Sequence, residues 1–204
     1  EPGSIFKPIT MGGALDAGKV MPQTTYIDSG ALTFGRYVIR NAQDKTYGLS
    51  TMTQVLEKSI NTGAIFAQQQ LGAQLFKKYV DAFGLSQPTG VDLAGEIGGN
   101  LSNLADAERE INFATAAFGQ GISVTPLGIA SAVAAIANNG KMMRPHLVEK
   151  IISADGEKKI ISPESLGQII SPSAAGKLTA MLVSTVRNGY DKIKIKNYHI
   201  AGKT

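Results

Sequence analysis

The chain opens with Glu1–Thr10, whose sequence EPGSIFKPIT combines the start of a helix with a serine and a lysine three residues apart. On a helix, Lys7 lies one turn beyond Ser4 on the same face, so its amine can reach the Ser4 hydroxyl. A serine hydroxyl is a weak nucleophile until a base takes its proton, and burial near another cation such as Lys203 favours the neutral lysine that can act as this base. The segment predicts a buried helix start at which Ser4 could act as nucleophile and Lys7 as base. Taken alone, a serine and a lysine at this spacing are more often a helix cap followed by a solvated lysine.

A second polar pair, Ser59 and Asn61, falls in a turn between two predicted helices. The first helix begins at a capping box formed by Thr51 and Gln54 and ends near Ser59. Because the two side chains are two residues apart on a turn, the hydroxyl and the amide can face one cleft. Ser59 could relay a proton to a leaving amine, and Asn61 could hold a substrate carbonyl or Lys7. Taken alone, the pair is more often a helix cap.

Lys203 and Thr204 are the last two residues, after the apolar-to-small run Ile200-Ala201-Gly202. The segment Tyr198–Thr204 is predicted to form a strand that lines a cleft. Lys203 could attract a substrate carboxylate, and Thr204 could add a hydroxyl donor. A lysine followed by a threonine is uninformative by itself. The pair supports a functional site only because it follows the other two pairs in the chain.

Composition limits the classes of protein that can carry these pairs. The 204 residues are 43% hydrophobic, which is enough for one sizeable core, and we expect a single domain over residues 1–204. The net charge is +4, but the basic residues are scattered, which argues against a nucleic-acid partner. The chain has no cysteine, and therefore no disulfide or cysteine-based metal site. It contains no run of about 18 apolar residues, so any membrane anchor of the parent protein lies outside this sequence.

The rest of the sequence predicts an α+β chain dominated by helices. The glycine-rich stretch from Lys19 to Leu49 is expected to form loops and short strands, and residues 86–103 a long loop. Further predicted elements are helices at about Ala64–Leu71, at 75–83 and from Thr125-Pro126 to Asn139, a hairpin from 147–152 and 159–161, and a helix marked by Leu178 and Val186. The helix after Pro126 is apolar on all sides and is therefore expected to be central.

In this order the three pairs resemble the S-x-x-K, S-x-N and K-T-G motifs of penicillin-binding protein transpeptidases, most closely the monofunctional class B type. The segment Phe118–Pro126, FGQGISVTP, is also similar to this family, so the resemblance covers the whole chain. It implies an α+β transpeptidase fold, of which these residues would be mostly the helical part. Strands of the central antiparallel sheet would lie before Glu1 and after Thr204, so we expect an incomplete domain.

The resemblance also implies a reaction. Ser4 would attack the penultimate D-alanine carbonyl of a D-Ala-D-Ala stem peptide, expel D-alanine and pass the acyl group to an amine on a neighbouring strand; β-lactam antibiotics mimic that substrate. No cofactor and no metal are implied. The substrate would be peptidoglycan stem peptides or a lipid-linked precursor, with a membrane-embedded glycosyltransferase as partner of the parent protein. The catalytic domain would lie outside the cytoplasm at the bacterial cell membrane.

Several alternatives stay open from the sequence. A D,D-carboxypeptidase or a serine β-lactamase would use the same acylating residues, and a noncatalytic β-lactam sensor or a scaffold would keep the fold. Glu108 lies in a segment that resembles the deacylating glutamate region of class A β-lactamases, but Ile60 stands where those enzymes have aspartate. His146 and His199 are each isolated and are interpreted as structural.

Overall fold

The computed structural model describes residues 1–189, 193 and 195–204. Its described part contains α-helices and short strands, with 3-10 turns at Gly3–Phe6, Ala42–Asp44 and Ser102–Leu104. The helices are α1 (Lys7–Asp16), α2 (Met52–Glu57), α3 (Asn61–Leu71), α4 (Ala73–Ala82), α5 (Glu110–Ala116), α6 (Pro126–Ala137) and α7 (Pro172–Gly189). The strands are β1 (Thr25–Asp28), β2 (Ala31–Phe34), β3 (Tyr37–Arg40), β4 (Gly48–Thr51), β5 (Lys141–Met143), β6 (Lys150–Ile152), β7 (Lys158–Ile160) and β8 (Ser165–Gln168).

Helix α1 is the centre of the core. Its residues from Lys7 to Leu15 are all buried, and it contacts α3, α4, α6 and α7. Gly13 allows α4 to approach closely, because a Cβ atom at this position would lie 2.9 Å from the Tyr79 ring. A helix packed on every side is held rigidly, which fixes the position of any functional group at its first turn.

The strands form four separate antiparallel pairs, β1 with β4, β2 with β3, β5 with β8, and β6 with β7. The prediction of loops and short strands between Lys19 and Leu49 is confirmed, and so is the hairpin in the region 147–161. The pairing of β8 with β5 was not predicted, because β8 (Ser165–Gln168) is short and its glycine breaks the apolar alternation that marks a strand. Helices with few strands confirm the predicted α+β class.

Three predictions about individual elements are wrong. Helix α3 begins at Asn61 rather than at Ala64, because Ile60 in extended conformation already sets its N-terminus. Helix α6 is not central: Leu127 and Val133 are 36% and 42% exposed, since only one of its apolar faces packs against other elements. Residues 198–204 do not form a strand, because a strand needs a ladder of backbone partners. The backbone hydrogen bonds described for this segment, from Tyr198 N to Ile195 O at 3.1 Å and from Gly202 N to Leu182 O at 3.3 Å, do not form such a ladder.

Over the described ranges, none of the helices is both long enough and apolar enough to cross a bilayer.

Candidate active site

Lys7 is the hub of the polar centre at the start of α1. The residue is 1% exposed. Its amine donates to Ser4 Oγ at 3.1 Å, Ser59 Oγ at 3.0 Å, the Ser59 carbonyl oxygen at 2.6 Å and Asn61 Oδ1 at 2.8 Å. Four of the six residues singled out from the sequence are therefore joined by direct hydrogen bonds, although more than 50 residues separate the two pairs.

The protonation of Lys7 is shifted by its surroundings. Burial, and to a lesser degree the positive charge of Lys203, lower its pKa from 10.5 to about 7. At neutral pH a substantial fraction of this amine is therefore unprotonated, as a general base requires. Since Ser4 Oγ lies within hydrogen-bond distance, the lone pair of the neutral amine can accept the Ser4 proton.

The turn that carries Ser4 is held by the segment 117–121. Gly3 N donates to the Gly119 carbonyl at 2.9 Å, and Glu1 accepts from Gly121 N at 2.8 Å through Oε1. Gly119 has φ +82°, and a Cβ atom there would overlap the Gly3 carbonyl oxygen. Only glycine combines this backbone conformation with such a close approach. The glycine-rich segment thus fixes the backbone on which the Ser4 hydroxyl is mounted.

The second half of the centre is the turn between α2 and α3. The predicted capping box is present, since Thr51 Oγ1 accepts from Gln54 N and Gln54 Oε1 accepts from Thr51 N. Ser59 adopts φ +55°, a conformation that is uncommon outside glycine. This conformation turns both the Ser59 carbonyl and its hydroxyl toward Lys7. Asn61, the first residue of α3, then places Oδ1 on the same amine.

The third predicted pair is Lys203 and Thr204, of which Lys203 lies close to this centre. Lys203 is half-buried, burial lowers its pKa to about 8, and its charge acts on Lys7. Its amine donates to the Thr204 carbonyl at 2.5 Å, and Thr204 is exposed. Beside Lys203 lies an apolar cavity of ≈ 420 Å³, whose lining includes Ile5, Pro8, Val133, Leu182 and Gly202.

Sequence reasoning missed the residues that support Asn61. Asp28 lies in the stretch predicted as loops and short strands, and an aspartate before Ser29-Gly30 is typical of a turn. Its carboxylate does accept from Gly30 N at 2.9 Å, but it also accepts from Asn41 and Thr62. Asn41 was not singled out. The sequence shows only that Asn41 is a polar residue in a stretch of short strands, and this does not reveal which distant residue its side chain contacts.

The residues set aside in the sequence remain outside the centre. Glu108 is exposed in the turn before α5, and its backbone N donates to Asp106. His146 and His199 are exposed as well. Within the residues that the structure covers, no three histidine, aspartate, glutamate or cysteine side chains cluster as metal ligands would.

A half-buried serine that is hydrogen-bonded to a buried lysine at the start of a central helix is an arrangement suited to forming a serine ester. The chain belongs to the penicillin binding protein transpeptidase domain family, whose model matches residues 1–204. It is 37% identical to stage V sporulation protein D of Bacillus subtilis over 153 residues, which cover 74% of this chain and 24% of that protein. It is 31% identical to a peptidoglycan D,D-transpeptidase FtsI homolog of Nephroselmis olivacea over 182 residues, covering 76% of this chain and 26% of the relative.

The fold agrees with the sequence relationship. The solved structure of penicillin-binding protein A from M. tuberculosis, in a ceftriaxone acyl-enzyme complex, superposes with a TM-score of 0.88 at 25% identity. The superposition covers 99% of this chain and 46% of that one. The chain spans about a quarter of the length of the two curated relatives. The resemblance predicted from the motifs is therefore confirmed at the level of the family and its fold.

Proposed function

We propose that this chain carries acylating residues of a peptidoglycan D,D-transpeptidase, which forms a serine acyl-enzyme on D-Ala-D-Ala stem peptides and is acylated by β-lactams. The observation that carries the proposal is the buried Lys7 amine, which bonds Ser4 Oγ and Ser59 Oγ at once. The names of the relatives support the same activity, because one is a peptidoglycan D,D-transpeptidase homolog and another was captured as a β-lactam acyl-enzyme.

In the acylation step, neutral Lys7 takes the proton of Ser4 as Oγ attacks the carbonyl carbon of the penultimate D-alanine. The new bond joins Ser4 Oγ to that carbon, and the negative charge moves to the carbonyl oxygen. The backbone N–H of Ser4 is one candidate donor to this oxyanion. When the tetrahedral intermediate collapses, the C–N bond to the terminal D-alanine breaks.

The leaving amine needs a proton, and Ser59 is placed to supply it. Its hydroxyl lies 3.0 Å from Lys7 Nζ, so the proton taken from Ser4 can pass through Lys7 to Ser59 and then to the amine. Asn61 holds Lys7 through Oδ1 and thereby fixes the relay. Lys203, while protonated, attracts the terminal carboxylate of the stem peptide, and Thr204 adds a hydroxyl donor beside it. A second stem-peptide amine then attacks the ester and releases Ser4.

The wider setting is part of the proposal. Stem peptides or their lipid-linked precursor are the substrates, the parent protein works with a membrane-embedded glycosyltransferase, and the catalytic domain faces the outside of the bacterial membrane. Residues 1–204 form part of a single transpeptidase domain. The β-lactamase alternative is weakened by Glu108, because this side chain is exposed rather than facing Lys7.

The proposal is tested by intact-mass spectrometry of the full protein after incubation with a penicillin. We expect a single adduct with the mass of the whole penicillin on the wild type and none on Ser4→Ala. Ser153→Ala, an exposed serine in the β6–β7 hairpin, is the matched control and should acylate like the wild type. A folded wild type without an adduct contradicts the proposal, and an adduct that hydrolyses within seconds identifies a β-lactamase instead.

A second assay separates the transfer reaction from hydrolysis. A D-Ala-D-Ala peptide is supplied with and without a D-amino-acid acceptor, and D-alanine release and product masses are recorded. A transpeptidase yields the acceptor-linked peptide, whereas a carboxypeptidase yields the tetrapeptide acid alone. An unreactive peptide together with a stable penicillin adduct indicates a sensor.

A further inference from the structure

A buried carboxylate lies behind the candidate site. Asp28, the last residue of β1, is 1% exposed and accepts hydrogen bonds from four neutral groups. Thr62 Oγ1 donates at 2.6 Å and Gly30 N at 2.9 Å to Oδ1, Tyr47 N donates at 2.7 Å to Oδ2, and the Asn41 amide donates to both oxygens. In the described part of the chain its contacts are with these neutral groups and not with a salt-bridging cation. Such a network has one satisfied arrangement, so it fixes the orientation of each member.

Asn41 follows the end of β3, and its amide can face only one way. Its Nδ2 group donates to the Asp28 carboxylate and to the Lys45 carbonyl, which leaves Oδ1 to accept from Thr62 N at 3.1 Å. If the amide were turned over, Oδ1 would face the carboxylate and Nδ2 would face an N–H donor. The charge on Asp28 therefore determines how Asn41 holds the start of α3.

The end of β3 and the start of α3, which Asn41 and Thr62 connect, are joined by a second hydrogen bond one residue earlier in each segment. Arg40 precedes Asn41, and its carbonyl accepts from Asn61 Nδ2 at 3.0 Å. Asn61 precedes Thr62 and places Oδ1 on Lys7 Nζ at 2.8 Å. Since Nδ2 can bond the Arg40 carbonyl and Oδ1 cannot, this bond selects the orientation in which oxygen faces Lys7.

We propose that Asp28 is a positioning residue for the acyl transfer, acting through Asn41 and the Arg40 carbonyl to keep Asn61 Oδ1 on the Lys7 amine. The inference rests on the proposed function, because it concerns the same serine–lysine centre. Loss of the Asp28 charge frees the Asn41 amide, which releases the end of β3 and moves the Arg40 carbonyl away from Asn61. The Asn61 amide then presents its NH₂ group to Lys7 or withdraws from it. In either case Lys7 is no longer held between Ser4 and Ser59.

The test compares the pH profile of penicillin acylation for the full-length wild type and Asp28→Asn. The substitution keeps the shape but replaces one oxygen by an NH₂ group, which must face the Tyr47, Gly30 or Thr62 donors. We expect the plateau acylation rate to fall on the order of 10-fold, which corresponds to about 1.4 kcal/mol in the barrier. The rising limb should also move to lower pH, because protonated Lys7 loses an acceptor. Lys203, the charged neighbour that acts on Lys7, is unchanged in this comparison.

Asp16→Asn is the matched control. Asp16 also uses a carboxylate to join elements, accepting from Tyr79 OH at 2.8 Å and Ser171 N at 2.7 Å, but at the opposite end of α1. We expect this variant to lose stability in thermal unfolding while the midpoint of its acylation profile stays at the wild-type pH. An equal rate loss in both variants, with neither midpoint moved, overturns the positioning role.

A second pair of variants keeps the proposal testable if Asp28→Asn does not fold. Thr62→Ser retains the hydroxyl that donates to Asp28, whereas Thr62→Val removes it at nearly constant volume. The proposal requires a wild-type profile for the serine variant and a shifted, slower one for the valine variant. Identical profiles refute it. A wild type that is not acylated refutes the proposed function instead, so the two failures are distinguishable.

Discussion

The lowered pKa of Lys7 predicts how acylation depends on pH. Lys7 acts as base only when neutral, and burial together with Lys203 brings its pKa to about 7. With this value about half of the amine is neutral at pH 7 and about 1% at pH 5, so the acylation rate at pH 5 should be roughly 50-fold lower than at pH 7. A solvated lysine would be neutral in only about one molecule in 3,000 at pH 7. The lowered pKa thus gives Lys7 a far larger neutral fraction at pH 7 than a solvated lysine would have.

We expect the acylation profile to have a falling limb that is set by Lys203. Burial lowers its pKa to about 8, and only the protonated form attracts a carboxylate. The second-order acylation constant should therefore rise through pH 7, pass a narrow maximum and fall above about pH 8. The two lysines influence each other, so the two midpoints belong to the pair.

The assay is stopped-flow acylation by a chromogenic cephalosporin between pH 5 and 10, analysed as the second-order constant of the free enzyme. Lys203→Gln is the informative variant. It removes the positive charge, so the rising limb should move to higher pH, the falling limb should disappear and the maximum rate should decrease. A rate that climbs tenfold per unit through pH 9 would show that Lys7 has an ordinary pKa. A rate that is constant from pH 5 to 8 would show that Lys7 is not the base.

Three further predictions concern stability and backbone geometry. Lys7→Met should raise the free energy of unfolding by about 1 kcal/mol or more at pH 6, because a buried ammonium is removed. Denaturant titrations should show this gain disappearing as the pH rises from 7 toward 10.5. An equal gain at all pH values contradicts the reasoning. Gly119→Ala should lower acylation by at least about 10-fold because its Cβ atom displaces the Gly3 carbonyl, whereas Gly18→Ala, also at positive φ but in open space, should cost only about 1 kcal/mol of stability and leave acylation unchanged. Asp28→Asn should cost about 2 kcal/mol at pH 7. Burial raises the pKa of Asp28, but its hydrogen bonds outweigh burial and hold the pKa below its usual range. The stability that this group gives the wild type is therefore present above about pH 4 and lost as the pH falls through the folded pKa. The difference in unfolding free energy between the wild type and Asp28→Asn should narrow at acid pH.

The part of the site predicted from the sequence is the part set by local geometry. Ser4 and Lys7 are three residues apart, and helical spacing alone brings them together, although Ser4 lies on a 3-10 turn before α1. The capping box at Thr51 predicted where α2 starts, and therefore that Ser59 falls in a turn. The positive φ of Ser59 was not predicted, because nothing in a serine–isoleucine–asparagine sequence requires it.

The unpredicted part depends on which distant segments pack together. Asp28 and Asn41 are residue types that are common in turns. Their contacts with the start of α3 follow only from the folding of two strands against that helix. The misjudged position of α6 has a similar origin. An all-apolar helix is compatible with full burial, but which of its faces is covered depends on the elements around it, and periodicity contains no information about them.

The burial that lowers the pKa of Lys7 also lowers the stability of the fold. A pKa of about 7 instead of 10.5 means that the fold disfavours protonated Lys7 relative to neutral Lys7 by about 5 kcal/mol more than water does, which is comparable with the whole stability of a small domain. Lys7 stays buried because α1 is covered on all sides by apolar contacts that do not depend on Lys7, and because Ser59 and Asn61 satisfy its amine. Weakening the α1 core should therefore expose Lys7 and raise its pKa before the protein unfolds. Core variants such as Leu178→Ala, at the α1–α7 contact, should lose acylation at pH 7 while still folded, and regain part of it at higher pH.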